Sequence, residues 1–286
     1  MFGLLNVYKP KGKTSHDVVA FLRRVTKIKC IGHTGTLDPF AEGVLPVCIG
    51  KATRIIEYLE DDKSYIGTIQ LGCSTTTYDT EGEVVKENFE KKVTKDEVDF
   101  VLNDFRGEIE QIPPIYSAIK IKGKKLYEYA RKGEEVKIPP RRVFINELKV
   151  LRYEPQLNQI ELYISCSKGT YIRSLANDIG EKLGVYGHLI KLIRTKAGLF
   201  ELDNAVHLEE LNTPEKINEY LMNPLDYLNY PKYELTEFEK EKISHGMSIK
   251  IKSMPNKIVV LTYNKVLAAI GTCSEDGLFK CNKVFL

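Results

Sequence analysis

The sequence predicts an α+β protein, with a mixed, largely antiparallel sheet in residues 1–230 and a small β-rich unit in residues 231–286. Strand-like segments arrive in pairs, as at 142–153 and 159–167, instead of alternating with helices as in βαβ units. Around 223–233, the segment NPLDYLNYPKY combines two prolines and two asparagines with little periodicity. That composition indicates a linker between the two units.

Apolar spacing predicts the first elements of the larger unit in chain order. Residues 3–8 and 63–73 are predicted strands, and between them Ser15 is placed to cap a helix. The buried face of that helix consists of Val18, Val19, Leu22 and Val25. A second helix is predicted from the i, i+3, i+4, i+7 spacing of Ala52, Ile55, Ile56 and Leu59.

Two more helices are predicted before the linker. Thr94 and Glu97 form a capping box for a helix that runs through Phe105. After Gly169, apolar residues again share one helical face, at Ile172, Leu175, Ala176, Ile179 and Leu183.

The smaller unit begins with another predicted capping box. Thr236 and Glu239 predict a capped helix that ends at Gly246. Strand-like runs follow at 248–252, 257–262, 265–272 and 278–285.

Composition is that of an ordinary globular protein, with 43% hydrophobic and 28% charged residues in 286. No apolar run approaches the roughly 18 residues of a membrane span, and the N-terminus lacks a secretory signal pattern, so we expect a cytoplasmic protein with no membrane partner. The six cysteines have no CxxC spacing, which argues against a zinc site or a disulfide framework. We expect no metal and no cofactor, and interpret most cysteines as small core residues.

Positive charge is concentrated in two segments although the net charge is only +3. Residues 9–29 carry seven lysines and arginines against one acid, and residues 117–142 carry nine against three. Such clusters neutralise phosphates, which favours a nucleic-acid partner. The alternative is that both segments are ordinary solvated faces.

In the segment Gly32 to Arg54, GHTGTLDPFAEGVLPVCIGKATR, the carboxylate of Asp38 lies at the tip of a glycine-rich loop. Asp38-Pro39 favours a turn, and no GxxxxGK[ST] phosphate loop is present. We interpret Asp38 as a single acid at the tip of the loop, which argues against the paired carboxylates of glycosidases. A structural alternative is that Asp38 only caps a turn.

This segment resembles the catalytic motif of the TruB family of tRNA pseudouridine-55 synthases, with Asp38 in the position of the nucleophile. Three other segments agree: NVYKPKGKTSHD, KSYIG with Tyr65, and SKGTYIRSLANDIGEKLG with Arg173. The resemblance covers residues 3 to 200 and implies the pseudouridine synthase fold. It also implies isomerisation of a flipped-out uridine at position 55, in the T loop of tRNA, without a metal, a cofactor or an obligatory protein partner. We expect a monomer.

The resemblance further implies a role for each site residue. Asp38 starts cleavage of the glycosidic bond, by attack at C1′ or C6 or by assisting glycal formation, and the sequence does not choose among these routes. Arg173 would lower the pKa of Asp38, and Tyr65 would stack on the uracil. Substrate-binding positions are His33, which fills the gap left by the base, and Tyr171, Leu192, Arg54 and Asp79.

A mobile RNA clamp at about 110–142 would grip phosphates through Lys122, Lys124, Lys125 and Arg131. The C-terminal unit resembles a PUA-type RNA-binding domain.

Each assignment has a structural alternative. Arg173 could form a surface ion pair with Asp178, and Asp79 could begin a turn. Tyr65, Tyr171 and Leu192 could be packing residues, His33 a surface hydrogen-bonding group, and the C-terminal unit a cap on the body. At the level of the whole protein, the rivals are a noncatalytic RNA-binding protein, a guide-RNA-dependent synthase and, more distantly, a nucleotide hydrolase.

Overall fold

The computed structural model describes residues 1–117, 119–121, 123–130, 133–134, 136–251 and 254–286. Helices in these ranges are α1 (Ser15–Thr26), α2 (Lys95–Leu102), α3 (Leu126–Ala130), α4 (Ile172–Lys182), α5 (Pro214–Glu219) and α6 (Glu237–Ser244). Short 3-10 helices are Gly50–Tyr58, Asn103–Phe105, Leu202–Asn204, Leu208–Glu210 and Pro224–Tyr227. The strands are β1 (Gly3–Lys9), β2 (Ile31–His33), β3 (Glu42–Ile49), β4 (Lys63–Leu71), β5 (Cys73–Thr75), β6 (Val84–Glu87), β7 (Gly107–Gln111), β8 (Lys120–Ile121), β9 (Lys124–Lys125), β10 (Arg141–Glu154), β11 (Gln159–Cys166), β12 (Gly187–Ala197), β13 (Phe200–Glu201), β14 (Val206–His207), β15 (Lys232–Glu234), β16 (Ile249–Lys250), β17 (Lys257–Tyr263), β18 (Val266–Cys273) and β19 (Leu278–Val284).

Ten of the described strands form one sheet in the order β14-β1-β3-β12-β4-β11-β10-β7, with β2 beside β3 and β13 beside β12. Two of its pairs, β1 with β14 and β3 with β12, are parallel, and the other described pairs are antiparallel. The mixed, largely antiparallel α+β fold is therefore confirmed. Alternate residues of β11 are buried, as its sequence pattern predicts.

The starts of α1, α2 and α6 are predicted to within one residue. Capping boxes at Thr94–Glu97 and Thr236–Glu239 are confirmed. The assignment of Ser15 as a cap is wrong, because Thr14 caps α1 in a capping box with Asp17. Ser15 is buried, and its hydroxyl is hydrogen-bonded to the backbone of Leu37 instead.

Two other predictions need correction. Residues Gly50–Tyr58 form a 3-10 helix, in which Ala52, Ile55 and Tyr58 are buried at a spacing of three, the period of that helix. The predicted linker at 223–233 is partly a 3-10 helix, and Leu225 and Leu228 are buried in it. Apolar side chains thus anchor this segment, although its composition is that of a loop.

The C-terminal strands form a second sheet in the order β15-β17-β18-β19-β16. Predicted strands at 257–262, 265–272 and 278–285 are confirmed within one residue at either end. The prediction at 248–252 reduces to Ile249–Lys250, and residue 252 lies outside the described part of the chain. This sheet has its own apolar core and also packs on the body, where Val260, Leu267 and Phe285 join a cluster with Leu4 and Ala52.

The largest apolar cluster lies between the first sheet and helices α2 and α4. The predicted buried face of α4 is confirmed, since Ile172, Leu175, Ala176, Ile179 and Leu183 all belong to this cluster. Four of the six cysteines, Cys48, Cys73, Cys166 and Cys273, are buried as predicted. None of the described helices is long and apolar enough to cross a membrane.

Candidate active site

Asp38 lies in the connection between β2 and β3, which buried side chains from distant parts of the chain hold in place. The Ser15 hydroxyl accepts a hydrogen bond from Leu37 N at 2.8 Å. The Lys9 ammonium, which is fully buried, donates to the carbonyls of Pro10, Lys13 and, at 3.5 Å, Pro39. The residues on both sides of Asp38 are thus fixed.

Arg194 provides a third anchor for this loop from inside the sheet. Its guanidinium is fully buried and donates to the carbonyls of Val44 at 2.6 Å, Gly35 at 3.1 Å and Thr36 at 3.4 Å. Gly43 allows the two strands to approach this closely, because a Cβ at its position would lie 2.3 Å from the Arg194 carbonyl oxygen, and its φ is +106°. Residues far from the loop in sequence therefore hold its backbone in place.

Arg173, at the start of α4, makes an ion pair with Asp38. Its Nε lies 2.9 Å from Oδ2, and its Nη2 donates a hydrogen bond to Oδ1 at 3.3 Å. The same guanidinium donates to the carbonyls of Thr77 at 3.1 Å and Tyr116 at 3.0 Å, and lies 3.4 Å from an Asp79 oxygen. The alternative of a surface pair with Asp178 is wrong, since the Arg173 side chain is 6% exposed and its partners are Asp38 and Asp79.

The electrostatics of Asp38 differ from expectation. Arg173 and Lys9 lower the pKa of Asp38, as predicted for Arg173, but removal of water by the surrounding protein has the larger effect and raises the pKa above its ordinary value. Asp79 adds to the rise through like-charge repulsion. Arg173 thus offsets part of the cost of a buried carboxylate.

Asp38 opens onto a cavity of about 290 Å³ that has both apolar and polar lining residues. Tyr65 from β4, Leu192 from β12 and Tyr171 before α4 all line it, together with Arg173. Burial raises the pKa of Tyr65 to about 12, so its phenol keeps its proton at neutral pH. This volume is at the lower end of the range for small-molecule sites. A planar ring could enter it with the carboxylate at one side.

Three of the predicted substrate-binding residues lie outside the lining of this cavity. His33 ends β2, one residue before the lining residue Thr34. Its Nδ1 is buried and has no hydrogen-bond partner among the described residues, and burial lowers its pKa. Asp79 lies behind Arg173 and is 2% exposed. Arg54 lines a neighbouring cavity, donates to the Val284 carbonyl at 2.6 Å and covers the Phe285 ring.

Of the predicted clamp residues, Lys122 and Arg131 lie outside the described residues. Lys124 and Lys125 form β9, which pairs with β8 in a two-stranded ribbon. The Lys124 ammonium lies 5.7 Å from the centre of the Tyr129 ring. This ribbon belongs to the segment that leaves the sheet after β7 and returns at β10.

Sequence reasoning gave no site role to Lys9, Arg194 or Gln111. Gln111 is 2% exposed and is hydrogen-bonded through its side chain to both backbone groups of Tyr171. Lys9 occurs in the segment NVYKPKGKTSHD, directly after the predicted strand at 3–8, and in the structure it is the last residue of β1. Arg194 lies in β12, a strand that the sequence patterns do not predict. A strand cation must either face water or find buried acceptors, and both residues find buried acceptors. Within the described residues, no group of three or more His, Cys, Asp or Glu side chains is arranged to hold a metal.

Family profiles match most of the chain. Residues 23–172 match the TruB family pseudouridylate synthase (N terminal domain), and residues 173–228 match the tRNA pseudouridylate synthase B C-terminal domain. Solved structures of the same architecture include a chain of a Cbf5-Nop10-Gar1 complex, with a TM-score of 0.75 and 26% identity over 100% of this chain and 85% of that one. A chain of the archaeal box H/ACA sRNP Nop10-Cbf5 complex gives 0.73 and 25%, over 99% and 86%. Fold and profiles together define a pseudouridine synthase.

Relatives in bacteria resemble the chain from end to end. The tRNA pseudouridine synthase B of Caldanaerobacter subterraneus subsp. tengcongensis is 48% identical over 280 residues, which cover 96% of each protein. That of Geobacillus thermodenitrificans is 44% identical over 301 residues and 100% of both. The chain belongs to the TruB family of pseudouridylate synthases.

Proposed function

We propose that the protein isomerises the uridine at position 55, in the T loop of tRNA, to pseudouridine, with Asp38 as the group that starts the reaction. The observation that carries this proposal is the position of Asp38 on a cavity of base size, ion-paired to Arg173 and near Tyr65. Relatives of 42–48% identity are named tRNA pseudouridine synthase B, which supports tRNA as the substrate.

The reaction breaks the bond from N1 to C1′, turns the base and forms a bond from C5 to C1′. The C5 proton is lost and N1 gains a proton, so the product is an isomer and no energy source is needed. The Asp38 carboxylate attacks C1′ or C6, or assists removal of the ribose 2′ proton to give a glycal. Each route requires an ionised carboxylate, which Arg173 favours.

The contacts around Asp38 hold the catalytic groups in position before the substrate binds. Arg173 is held by two carbonyls and Asp79, so its charge is already in place before the RNA binds. The loop of Asp38 is held by Lys9, Ser15 and Arg194. These contacts reduce the movement needed when the base arrives.

The cavity walls bind the flipped base and keep water away from the cleaved intermediate. Tyr65 stacks on the uracil, while Tyr171 and Leu192 line the remaining walls. His33 fills the gap that the base leaves in the RNA. Burial favours the neutral form of its imidazole, which suits a position between stacked bases.

Recognition of the rest of the tRNA falls to cationic surfaces. Lys122, Lys124, Lys125 and Arg131 hold phosphates as a clamp within residues 110–142, and Arg54 contributes beside the C-terminal strand. Residues 231–286 act as a PUA-like RNA-binding domain next to the catalytic domain, residues 1–230. The protein works in the cytoplasm as a monomer, without an obligatory partner, metal or cofactor.

Release of tritium from [5-³H]uridine in tRNA tests this function, because C5 must lose its hydrogen. Wild-type protein should release tritium, and Asp38→Asn should release none while its affinity for tRNA stays within about tenfold. Asp104→Asn is the matched control, since that carboxylate forms an exposed pair with Lys182 on α4. Turnover by Asp38→Asn at the wild-type rate would disprove the role of Asp38.

A further inference from the structure

The chain leaves the sheet before residues 112–140, which include most of the second basic cluster, and rejoins it after them at one pair of residues. Gln111 is the last residue of β7, Arg141 is the first of β10, and the two are direct partners in the antiparallel register. Residues 112–140 thus start and end at this point. A contact that fixes Gln111 therefore also fixes the point at which the segment with the proposed RNA clamp joins the sheet.

The Gln111 side chain joins this root to the active site. Its Oε1 accepts a hydrogen bond from Tyr171 N at 2.7 Å, and its Nε2 donates to Tyr171 O at 3.0 Å. Tyr171 is the N-cap residue of α4, and its own side chain makes no capping hydrogen bond. A buried amide therefore pairs with both backbone groups of Tyr171 at the start of the helix that carries Arg173, and the Tyr171 carbonyl also accepts from Leu175 N.

The next residues continue the same contact along the first turn of α4. The Ser174 hydroxyl donates to the Ile112 carbonyl at 2.8 Å, and Arg173 Nη2 donates to the Tyr116 carbonyl at 3.0 Å. Ser117, 6% exposed, lines the cavity beside Tyr171. The first residues after β7 thus contribute Ser117 to the cavity lining and two backbone carbonyls to the first turn of α4.

We propose that Gln111 is a positioning residue of the reaction, which fixes Tyr171 and, through the first turn of α4, the ion pair between Arg173 and Asp38. This inference rests on the proposed function. Replacement of the amide leaves the Tyr171 N–H without this acceptor and removes one of two hydrogen bonds to the Tyr171 carbonyl, which still accepts from Leu175 N at 3.0 Å. The buried N–H must find another acceptor, which requires the turn to shift. A displacement of about 1 Å at reacting groups can cost about 100-fold in rate.

The test compares single-turnover tritium release at saturating enzyme with the Kd for tRNA. For Gln111→Met we expect a rate constant 10- to 100-fold below wild type and a Kd within about threefold, because no phosphate contact is removed. Gln70→Met is the matched control, because Gln70 lies on β4 of the same sheet and its Nε2 donates to the backbone carbonyl of Leu157, in the turn between β10 and β11, at 2.9 Å. This variant should leave the rate unchanged.

A pH profile separates positioning from a general loss of stability. Groups that act on the charge of Asp38 are Arg173, Asp79 and Lys9, and those affected by it include Tyr65, Glu81 and Tyr171. If Arg173 moves away, the ionised form of Asp38 loses its main support, so the acid limb of the profile should shift to higher pH in Gln111→Met. Gln70→Met should keep the wild-type limb.

Gln111→Glu provides a second variant in case the methionine protein does not fold. The glutamate carboxyl can still accept a hydrogen bond from Tyr171 N. It can donate one to Tyr171 O, as the wild-type amide does, only when it is protonated. Its rate relative to wild type should therefore rise as the pH falls. A wild-type rate and acid limb in both variants, or a lower melting temperature without any change in rate, would overturn the inference. Absence of tritium release by wild-type protein would instead overturn the proposed function.

Discussion

Replacement of Arg173 by methionine should destabilise the protein more at pH 8 than at pH 5, because the guanidinium lies between two carboxylates. It is 2.9 Å from Asp38 and 3.4 Å from Asp79, and its side chain is 6% exposed. Methionine has a similar length and no charge. The variant therefore leaves both acids in place without their cation.

The size of the effect follows from burial. Removal of one partner from a buried ion pair costs about 3–5 kcal/mol. The Asp38 side chain is 35% exposed, so water recovers part of this, and we expect about 2–3 kcal/mol at pH 8.

The pH dependence has a definite sign. Burial already raises the pKa of Asp38 in the folded state, and loss of Arg173 raises it further. Stability from such a group is present below the ordinary carboxyl pKa and is lost as the pH rises through the higher folded-state pKa. The variant should thus lose more stability at pH 8, by about 1–2 kcal/mol relative to pH 5.

Urea unfolding of wild type and Arg173→Met at both pH values measures this difference. Lys182→Met is the control, because Lys182 lies on the same helix but its pair with Asp104 is exposed and should contribute under about 1 kcal/mol. An equal loss at both pH values, or an equal loss in the control, would refute the assignment of Arg173 as the counterion of Asp38.

Three further predictions concern binding and chemistry. Alanine at Lys122, Lys124, Lys125 and Arg131 together should weaken tRNA binding and reduce its salt dependence by roughly one unit of slope per lost phosphate contact, with little change in single-turnover rate; normal binding with slow chemistry would contradict the clamp. Tyr65→Ala should slow single-turnover tritium release even at saturating RNA because stacking is lost, whereas a normal rate would exclude that role. Activity should survive EDTA, and loss that one specific divalent ion restores would contradict a metal-free reaction.

The sequence predicted the elements well where local chemistry decides them. Capping boxes at Thr94 and Thr236 and the buried face of α4 need only short-range hydrogen bonds and periodicity. The cap of α1 was misplaced because Thr14 and Ser15 are both good caps, and the choice depends on Leu37, which binds the Ser15 hydroxyl. Burial at a spacing of three also fits a 3-10 helix, so Gly50–Tyr58 was assigned to the wrong helix type.

Contacts across long sequence separations could not be predicted in this way. Asp38 and Arg173 are 135 residues apart, so their pairing is expected from the family resemblance and not from local patterns, and it depends on the position of α4 beside the sheet. The rise in the pKa of Asp38 depends on how much water the folded cleft excludes, which no local motif encodes. Gln111 has no distinctive motif, and its role depends on where the Tyr171 backbone lies.

The most direct test of the account is to map pseudouridine in an unmodified tRNA transcript after incubation with the purified protein alone. Chemical probing should show modification at position 55 in the T loop with the wild-type protein, and no modification with Asp38→Asn at RNA concentrations where both proteins are saturated. Modification at other positions only, none with the wild type, or equal modification by Asp38→Asn would contradict the proposed reaction at this site.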